Sequence, residues 1–333
     1  MSREHPLIRS SLLSEFPALV QELGGPLDEI LEEAGLSLEQ IEQPTLMISY
    51  EKQIQLLRSA ARICDYEQFG LELARRQDMA VFGALSLLIM NCNSVLDGLQ
   101  MFGRYLHYSV QEVRLELRDE NNLCYMSVTT SIEAAAASDQ FWDHAVALCC
   151  SVMRILCGQS WSPRSTYLRR PPPVDTGSYN RYFRSPVGFD SSFGGMVFEA
   201  KTLHQPISSS IQSVPSQLQQ YLRKNFEGDF LEQVRRVIIS LLPTQNCTTR
   251  TVAECTGYSL RSLQRKLQTE QTSFQQQIDQ VRSELAISYL QEPQFNLTDI
   301  AGLLGYSELS VFSRRFKSWF GVTPSQWRSR CFG

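Results

Sequence analysis

Two stretches of the C-terminal third share one pattern of apolar, small and turn-forming residues. They read VAECTGYS (Val252–Ser259) and IAGLLGYS (Ile300–Ser307) and lie 48 residues apart. Glycine can take the left-handed backbone that ends a helix, and serine readily caps the N-terminus of the next helix. Each stretch therefore predicts a short helix, a tight turn and a second helix beginning at Ser259 or Ser307. The repeat indicates two helix-turn-helix units.

The second helix of each predicted unit has an apolar stripe on one side and a polar face on the other. The stripes consist of Leu260, Leu263 and Leu267 in the first unit and of Leu309, Phe312, Phe316 and Phe320 in the second. The polar faces carry Arg261, Gln264, Arg265 and Gln268 in the first unit and Ser310, Arg314 and Lys317 in the second. Arg and Gln make paired hydrogen bonds to guanine and adenine edges in the major groove. A single unit of this kind is also typical of a helical hairpin in a core, but two copies favour DNA binding.

A longer helix is predicted between the units, from Phe274 to Gln291, because its apolar residues recur at steps of three and four. A rigid helix here would place the units on successive major-groove segments, about one helical turn apart. Candidate capping boxes precede the units, at Thr251 with Glu254 and at Asn296 with Asp299.

The first 200 residues mix helical and strand patterns. Helices are predicted over Pro26–Ala34, Glu51–Ile63, Phe69–Arg76, Gly83–His107 with a break near Asn91–Asn93, and Ala135–Cys157. Alternating residues predict a hairpin of Glu112–Leu117 and Leu123–Thr129, and short strands at Ser165–Arg170 and Met196–Glu199. The predicted fold class is an α+β N-terminal domain followed by an all-α C-terminal domain with two helix-turn-helix units joined by a long helix.

Composition narrows the class of protein. The chain has 333 residues, 43% hydrophobic and 20% charged, which suits two folded domains rather than a disordered protein. It has no run of 18 apolar residues and no signal-peptide pattern, so we expect a cytoplasmic protein that does not enter membranes. The nine cysteines include no Cys-x-x-Cys pair, which predicts reduced thiols, no metal and no cofactor.

The net charge of −4 conceals a difference between the two parts. Residues 230–333 have 12 basic and 8 acidic side chains, whereas residues 1–229 have 19 basic and 27 acidic ones. A basic part is expected to meet a polyanion such as double-stranded DNA. No charged residue occurs from Thr202 to Leu222, a stretch rich in Ser and Gln. We therefore predict an effector-sensing or dimerisation domain over 1–210, a linker over 211–229 and a DNA-binding domain over 230–333.

The C-terminal third resembles the DNA-binding domain of AraC-type bacterial transcription regulators. The resemblance lies in SLRSLQRKLQTEQTSF, VRSELAISYLQEP and LTDIAGLLGYSELSVFSRRFKSWFGVTPSQWR and covers about residues 230–330. It implies a seven-helix domain whose third and sixth helices enter adjacent major grooves. The base-contact positions that it implies are Arg261, Gln264, Arg265, Ser310 and Arg314, with Lys317 at a phosphate. The chain departs from the family at Gln271, where Gly is usual, and at Thr256, where an apolar residue is usual.

The N-terminal part resembles the arabinose-binding-type domain of one branch of these regulators. The resemblance lies in EEAGLSLEQI, FGLELARRQDMAVFGALSLLI, VLDGLQMFGRYLHY and YNRYFRSPVGFDSSFGGMVFEAKTLHQPI, over about residues 20–210. It implies a domain that senses a small molecule, forms a homodimer, or both, although it does not make arabinose the ligand. Activation through RNA polymerase is the family expectation, and repression is equally compatible with the residues. The ligand-binding residues stay unknown at this point.

Three other hypotheses concern the N-terminal part. His144 and Cys149 lie five residues apart on one predicted helix and could form a nucleophilic pair, or Cys149 could simply belong to the core. Because no third orienting group is evident, we expect no enzyme. The aromatic residues Tyr179, Tyr182, Phe183, Phe189 and Phe193 could line an apolar pocket or pack in the core. The N-terminal domain could also bind a protein partner and no small molecule.

Overall fold

A computed structural model describes residues 6–44, 46–77, 79–82, 85–86, 89, 92–207, 230–245, 247–256, 258–291 and 296–332. Contacts divide the chain into two compact units, residues 1–212 and 213–333. The predicted linker over 211–229 falls outside the described residues, so the domain boundaries stay a prediction. Within the described ranges, no helix has the length and apolarity needed to cross a bilayer.

The N-terminal unit combines helices with two antiparallel or mixed sheets, which confirms the predicted α+β class. Its helices are α1 (Phe16–Glu22), α2 (Leu27–Ala34), α3 (Leu38–Glu42), α4 (Tyr50–Ile63), α5 (Phe69–Arg76), α6 (Val95–Tyr105), α7 (Glu133–Ala136), α8 (Asp139–Cys157) and α9 (Thr176–Phe183). The strands are β1 (Leu7–Arg9), β2 (Met47–Ser49), β3 (Val113–Glu120), β4 (Leu123–Thr130), β5 (Ser165–Tyr167), β6 (Val187–Gly188) and β7 (Gly195–Glu199). Strands β1 and β2 pair with each other, and the other five form one sheet in the order β3-β4-β7-β5-β6.

The predicted hairpin is present, with a tighter turn than expected. Strands β3 and β4 pair from Val113 opposite Thr130 to Glu120 opposite Leu123. The turn consists of Asn121 and Asn122, whose φ values of 53° and 65° both lie in the left-handed region. Asparagine tolerates this region, and two such residues make the turn that matches the twist of paired strands. Residues 118–120, predicted as part of the loop, therefore belong to β3.

Two predicted helices are interrupted, one unexpectedly and one where the sequence predicted a break. The helix predicted over Ala135–Cys157 is divided into α7 and α8, because the Ser138 side chain accepts a hydrogen bond from Phe141 N and starts a new helix there. The helix predicted over Gly83–His107 has its break near Asn91–Asn93 as predicted, and α6 starts after Ser94, which accepts a hydrogen bond from Asp97 N. Several residues between 83 and 91 lie outside the described ranges.

The core of the N-terminal unit contains a buried polar network around Asp143 of α8. Asp143 Oδ2 accepts hydrogen bonds from Arg170 Nη1 at 2.7 Å and from the Tyr179 hydroxyl at 2.6 Å. Arg170 Nη2 also lies 2.9 Å from Glu67 Oε1. Asp143 and Arg170 are 0% and 2% exposed, so each charge depends on the other for compensation. The network joins α8 to the loop before α9 and to α9 itself.

The C-terminal unit is helical throughout its described part. Its seven helices there are α10 (Phe230–Leu241), α11 (Thr249–Thr256), α12 (Leu260–Thr269), α13 (Phe274–Leu290), α14 (Leu297–Leu303), α15 (Leu309–Phe320) and α16 (Pro324–Phe332). Helix α13 matches the predicted connector to within one residue. Helix α10 packs against both α11 and α13, and α13 also packs against α14 and α15. The predicted all-α fold with two helix-turn-helix units is therefore confirmed.

Candidate nucleic-acid interface

The first helix-turn-helix unit consists of α11 and α12. Ser259 caps α12 as predicted, because its Oγ accepts a hydrogen bond from Ser262 N at 3.2 Å. Helix α11 starts earlier than predicted: Thr251 N donates to Thr248 Oγ1 at 3.1 Å. The cap of α11 is therefore Thr248, and the predicted capping box at Thr251 is wrong. Thr256 is accommodated at the end of α11 because its hydroxyl donates to the Val252 carbonyl at 2.7 Å.

The second unit consists of α14 and α15 and turns at Gly305. Asn296 caps α14 as predicted, accepting from Asp299 N at 2.8 Å. Gly305 has a φ of +75°, and a Cβ built on it would lie 2.3 Å from the Leu242 carbonyl oxygen. Only glycine fits such a position, for reasons of both backbone angle and space. The backbone at Gly305 thus comes too close to that of Leu242, the residue after α10, to leave room for a side chain.

The start of α15 differs by one residue from the prediction. Glu308, with φ −138°, occupies the N-cap position that the repeat assigned to Ser307. Its Oε2 accepts a hydrogen bond from the hydroxyl of Ser310 at 3.0 Å. The two units therefore share a pattern of residues but differ in how their second helices begin.

Both second helices bury one side and expose the other. Leu263 and Leu267 of α12, and Phe312 and Phe316 of α15, are at most 1% exposed. Leu260 and Phe320, predicted within the same stripes, are 40% and 37% exposed because they lie at helix ends. All of the predicted DNA-contact residues are exposed: Arg261, Gln264, Arg265, Ser310, Arg314 and Lys317. The geometry thus agrees with a polar face above a buried stripe on each helix.

The cations on these exposed faces differ from their neighbours in having no ionic partner among the residues that the structure describes. Among the described residues, no carboxylate lies within 4.0 Å of the charged groups of Arg261, Arg265, Arg314 or Lys317. A cation that lacks an internal partner remains available to the phosphates and base edges of a nucleic acid. The four side chains therefore form a partnerless cationic set, two on α12 and two on α15.

Adjacent cations stabilise the fold instead. Arg315 Nη2 lies 2.9 Å from Asp279 Oδ2 of α13. The Lys266 Nζ atom lies 4.6 Å from the centre of the Tyr258 ring and 3.1 Å from its hydroxyl oxygen. Arg235 of α10 pairs with Glu284 of α13. The sequence placed Arg314 rather than Arg315 on the polar face, and the fold adds that Arg315 meets a carboxylate.

The turn before α13 contains the predicted departure at Gln271. Its φ is +54°, in the left-handed region where glycine is favoured. The chain tolerates the strain, and Ser273 and Gln276 then form a capping box in which each side chain bonds the other's backbone N–H. Gln271 therefore adopts, at a cost in strain, the backbone conformation that favours glycine.

Cys149 and His144 were considered for nucleophilic chemistry. Their pKa values are shifted in the directions opposite to those that such chemistry needs. Desolvation raises the pKa of the Cys149 thiol to about 12 and lowers the pKa of His144 to about 4. A reactive cysteine instead has a lowered thiol pKa beside a protonated base. His144 Nε2 bonds Gln77 Oε1 at 2.8 Å rather than a thiol. Within the described ranges, no three His, Cys, Asp or Glu side chains are grouped as a metal site requires.

The aromatic residues around α9 belong to the core. Tyr179 and Phe183 are 0% exposed, and Tyr182 and Phe189 pack against the same buried cluster. The core interpretation therefore fits these four residues better than the pocket interpretation, whereas Phe193 packs against the rings of Tyr125 and Tyr167.

Comparison with known proteins gives matches for both parts of the chain. A family model for the arabinose-binding domain of AraC transcription regulators matches residues 24–207, and a model for a helix-turn-helix domain matches residues 252–330. The transcriptional regulator VirS of Mycobacterium tuberculosis is 26% identical over 330 residues, which cover 97% of this chain and 96% of VirS. The ornithine utilization regulator of Pseudomonas aeruginosa is 26% identical over 315 residues, 93% of each chain. The transcriptional activator CfaD of Escherichia coli is 32% identical over 97 residues, 29% of this chain and 36% of CfaD.

Proposed function

The chain belongs to the family of AraC transcription regulators, and on that premise we propose that α12 and α15 read two successive major-groove segments of one operator. In this arrangement Arg261, Gln264 and Arg265 contact base edges in one segment, and Ser310 and Arg314 contact them in the next. Lys317 contacts a phosphate. The observation that carries the proposal is the partnerless cationic set, because these cations make no ion pair within the described part of the protein.

The N-terminal unit is proposed to sense a small molecule and to form a homodimer. A ligand that binds one state of this unit better than another would change how two DNA-binding units are placed on the operator. The alternative, an N-terminal unit that recognises a protein partner, predicts no change in DNA affinity with any small molecule. We propose activation through RNA polymerase as the outcome of operator binding, in line with the relatives that are named activators.

The proposed activity is binding rather than catalysis, and the proposed location is the cytoplasm, where the DNA lies. The shifted pKa values of Cys149 and His144 support a binding role, because an unreactive thiol and a neutral imidazole that is already hydrogen-bonded suit a structural role.

The proposal is tested by fluorescence anisotropy of the full-length protein on the DNA upstream of its own gene and on random DNA. Arg265→Ala and Arg314→Ala are each expected to weaken binding to the upstream DNA by about 1–3 kcal/mol and to reduce the preference over random DNA. Arg118→Ala, an exposed arginine of β3, serves as a control with the same change of charge and is expected to keep the preference.

Two outcomes would contradict the proposal. Equal losses on both DNAs would place Arg265 and Arg314 on phosphates instead of bases. A loss of preference in the Arg118→Ala control as large as in the other variants would mean that overall charge, rather than these positions, determines binding.

A further inference from the structure

The N-terminal unit contains a cavity between α4, α8 and the inner face of the β3-β4 hairpin. Its space free of atoms measures about 550 Å³ including an open mouth, and about 50 Å³ of it can hold the centre of a water molecule. Because only about 50 Å³ admits the centre of a water molecule, the enclosed space is narrow and suits a slender molecule better than a bulky one.

The wall of this cavity is mostly apolar. Leu57 of α4, Phe102 of α6, Val113 of β3 and Leu148 of α8 all contribute to it and are at most 7% exposed. Arg114 also borders the cavity, but it is exposed, and in β3 exposed residues alternate with the inward-facing ones. An apolar ligand would therefore replace water along most of the wall.

One polar atom in this wall has no partner. Gln53 of α4 is 2% exposed, lines the cavity, and its Oε1 makes no hydrogen bond within the described part of the chain. Burying a carbonyl that has no hydrogen-bond partner costs free energy, so native proteins rarely retain such a group without a reason. A ligand that donates a hydrogen bond would supply the missing partner.

His144, a second polar residue of the cavity wall, is uncharged. Gln77 Nε2 donates to the carbonyls of Leu12 at 3.0 Å and Ser14 at 2.8 Å, which fixes its Oε1 as the atom that faces His144. The Nε2 of His144 must then be the donor to that oxygen. Burial holds the pKa of this imidazole near 4, so the ring is uncharged at neutral pH. Since neither Gln53 nor His144 carries a charge, the buried part of the wall offers a charged ligand no compensating group, and Arg114, the cation that borders the cavity, is exposed.

We propose that this cavity binds an uncharged, slender, apolar molecule with a hydroxyl or amide hydrogen that donates to Gln53 Oε1. The proposal rests on the sensing role proposed above for the N-terminal unit and specifies the ligand class and the residue that recognises it. His144 and Cys149, both in the wall, then line a binding site instead of forming a catalytic pair.

The test uses isothermal titration calorimetry on the full-length protein with 1-octanol and its isomer heptyl methyl ether. The two compounds have the same atoms, but only the alcohol can donate to Gln53 Oε1. We expect the wild-type protein to bind the alcohol about tenfold more tightly than the ether, because one well-placed hydrogen bond accounts for such a ratio. In Gln53→Leu, which removes the acceptor, the two affinities are expected to become equal.

Two further variants separate recognition from folding. Gln53→Met has an unbranched side chain of similar length without a carbonyl and is expected to match Gln53→Leu in binding. Neither variant is expected to lower the thermal unfolding temperature, because the atom removed has no partner in the described protein. Ala145→Phe, which places a ring in the cavity, is expected to abolish binding of both compounds.

The proposal is overturned if neither compound binds the wild type, if both bind it equally, or if the tenfold ratio persists in Gln53→Leu. A large drop in unfolding temperature in both Gln53 variants would also overturn it, because Gln53 would then be a structural residue. Anisotropy on the upstream DNA, measured with the same protein, keeps the two proposals apart. Specific DNA binding without alcohol binding overturns only the cavity proposal, and the reverse result overturns only the operator proposal.

Discussion

The guanidinium carbon of Arg282 lies 4.4 Å from the centre of the Tyr306 ring, and Arg282 Nε donates to the Leu304 carbonyl at 2.9 Å. One side chain of α13 therefore holds the turn of the second helix-turn-helix unit through both a ring contact and a backbone hydrogen bond. Because α13 also packs against α10 and α15, this contact fixes the second unit to the centre of its domain.

Arg282→Met is expected to lower the free energy of unfolding by about 2 kcal/mol, since a charged hydrogen bond and a cation–π contact are lost. Arg265→Met makes the same chemical change at an exposed position and is expected to leave stability within about 0.5 kcal/mol. Chemical denaturation of both full-length variants measures the difference. Equal stabilities would mean that the Arg282 contacts contribute nothing.

Gly305→Ala is expected to destabilise the second unit by about 2 kcal/mol or more, because the backbone angle is strained for any other residue and the new Cβ meets the Leu242 carbonyl. Gly302→Ala is the matched control within α14. Nothing lies within 4 Å of its would-be Cβ, so we expect it to gain about 1 kcal/mol of helix propensity. Thermal unfolding of the two variants should shift in opposite directions.

Gln271→Gly is expected to raise stability by about 0.5–1 kcal/mol, because the relief of left-handed strain exceeds the entropy that glycine adds to the unfolded chain. The control Gln268→Gly lies inside α12 and is expected to lose about 1 kcal/mol. Urea titrations of the two variants and the wild type measure both changes. Destabilisation by Gln271→Gly would show that its side chain makes a contribution larger than the strain.

Lys317→Ala is expected to weaken binding to upstream and random DNA alike and to lower the slope of log affinity against log salt by about one unit. The reason is that one fewer phosphate is neutralised and one fewer counterion is released. Lys201→Ala, an exposed lysine of the N-terminal unit, serves as the control and should leave the slope unchanged. An unchanged slope in Lys317→Ala would remove this residue from the DNA contact.

The buried imidazole of His144 predicts a loss of stability in acid. Its pKa is about 4 in the folded protein and 6.5 without burial, so only the unfolded chain takes up a proton between these values. The contribution is fully present above pH 6.5 and declines as the pH falls towards 4, by about 3 kcal/mol in total. Denaturation of the wild type and His144→Gln across pH 4–7 isolates it, because the carboxylates titrate in both proteins. Parallel curves would refute the prediction.

Local signals in the sequence predicted the elements, whereas long-range contacts determined what their residues do. The repeated Gly-Tyr-Ser pattern and the periodic stripes predicted both helix-turn-helix units. The predicted start at Ser307 was wrong by one residue, because the N-cap of α15 is Glu308, which has an extended backbone and makes no capping hydrogen bond with its side chain. The pairing of Gln77 with His144 spans 67 residues, and that of Arg170 with Glu67 spans 103. The periodicity of hydrophobic and polar residues along the sequence does not indicate pairs so far apart. The cavity at Gln53 and the buried network at Asp143 therefore became visible only in the fold.

The hydrogen bond between Ser310 and Glu308 restricts which bases the second unit can prefer. While the Ser310 hydroxyl donates its hydrogen to Glu308, its oxygen can only accept a hydrogen bond from a base in the major groove. In the major groove the amino groups of adenine and cytosine offer hydrogens, whereas the O6 and N7 of guanine and the O4 of thymine do not. At the base pair that Ser310 meets in the proposed complex, the hydroxyl would thus select an amino group over a carbonyl.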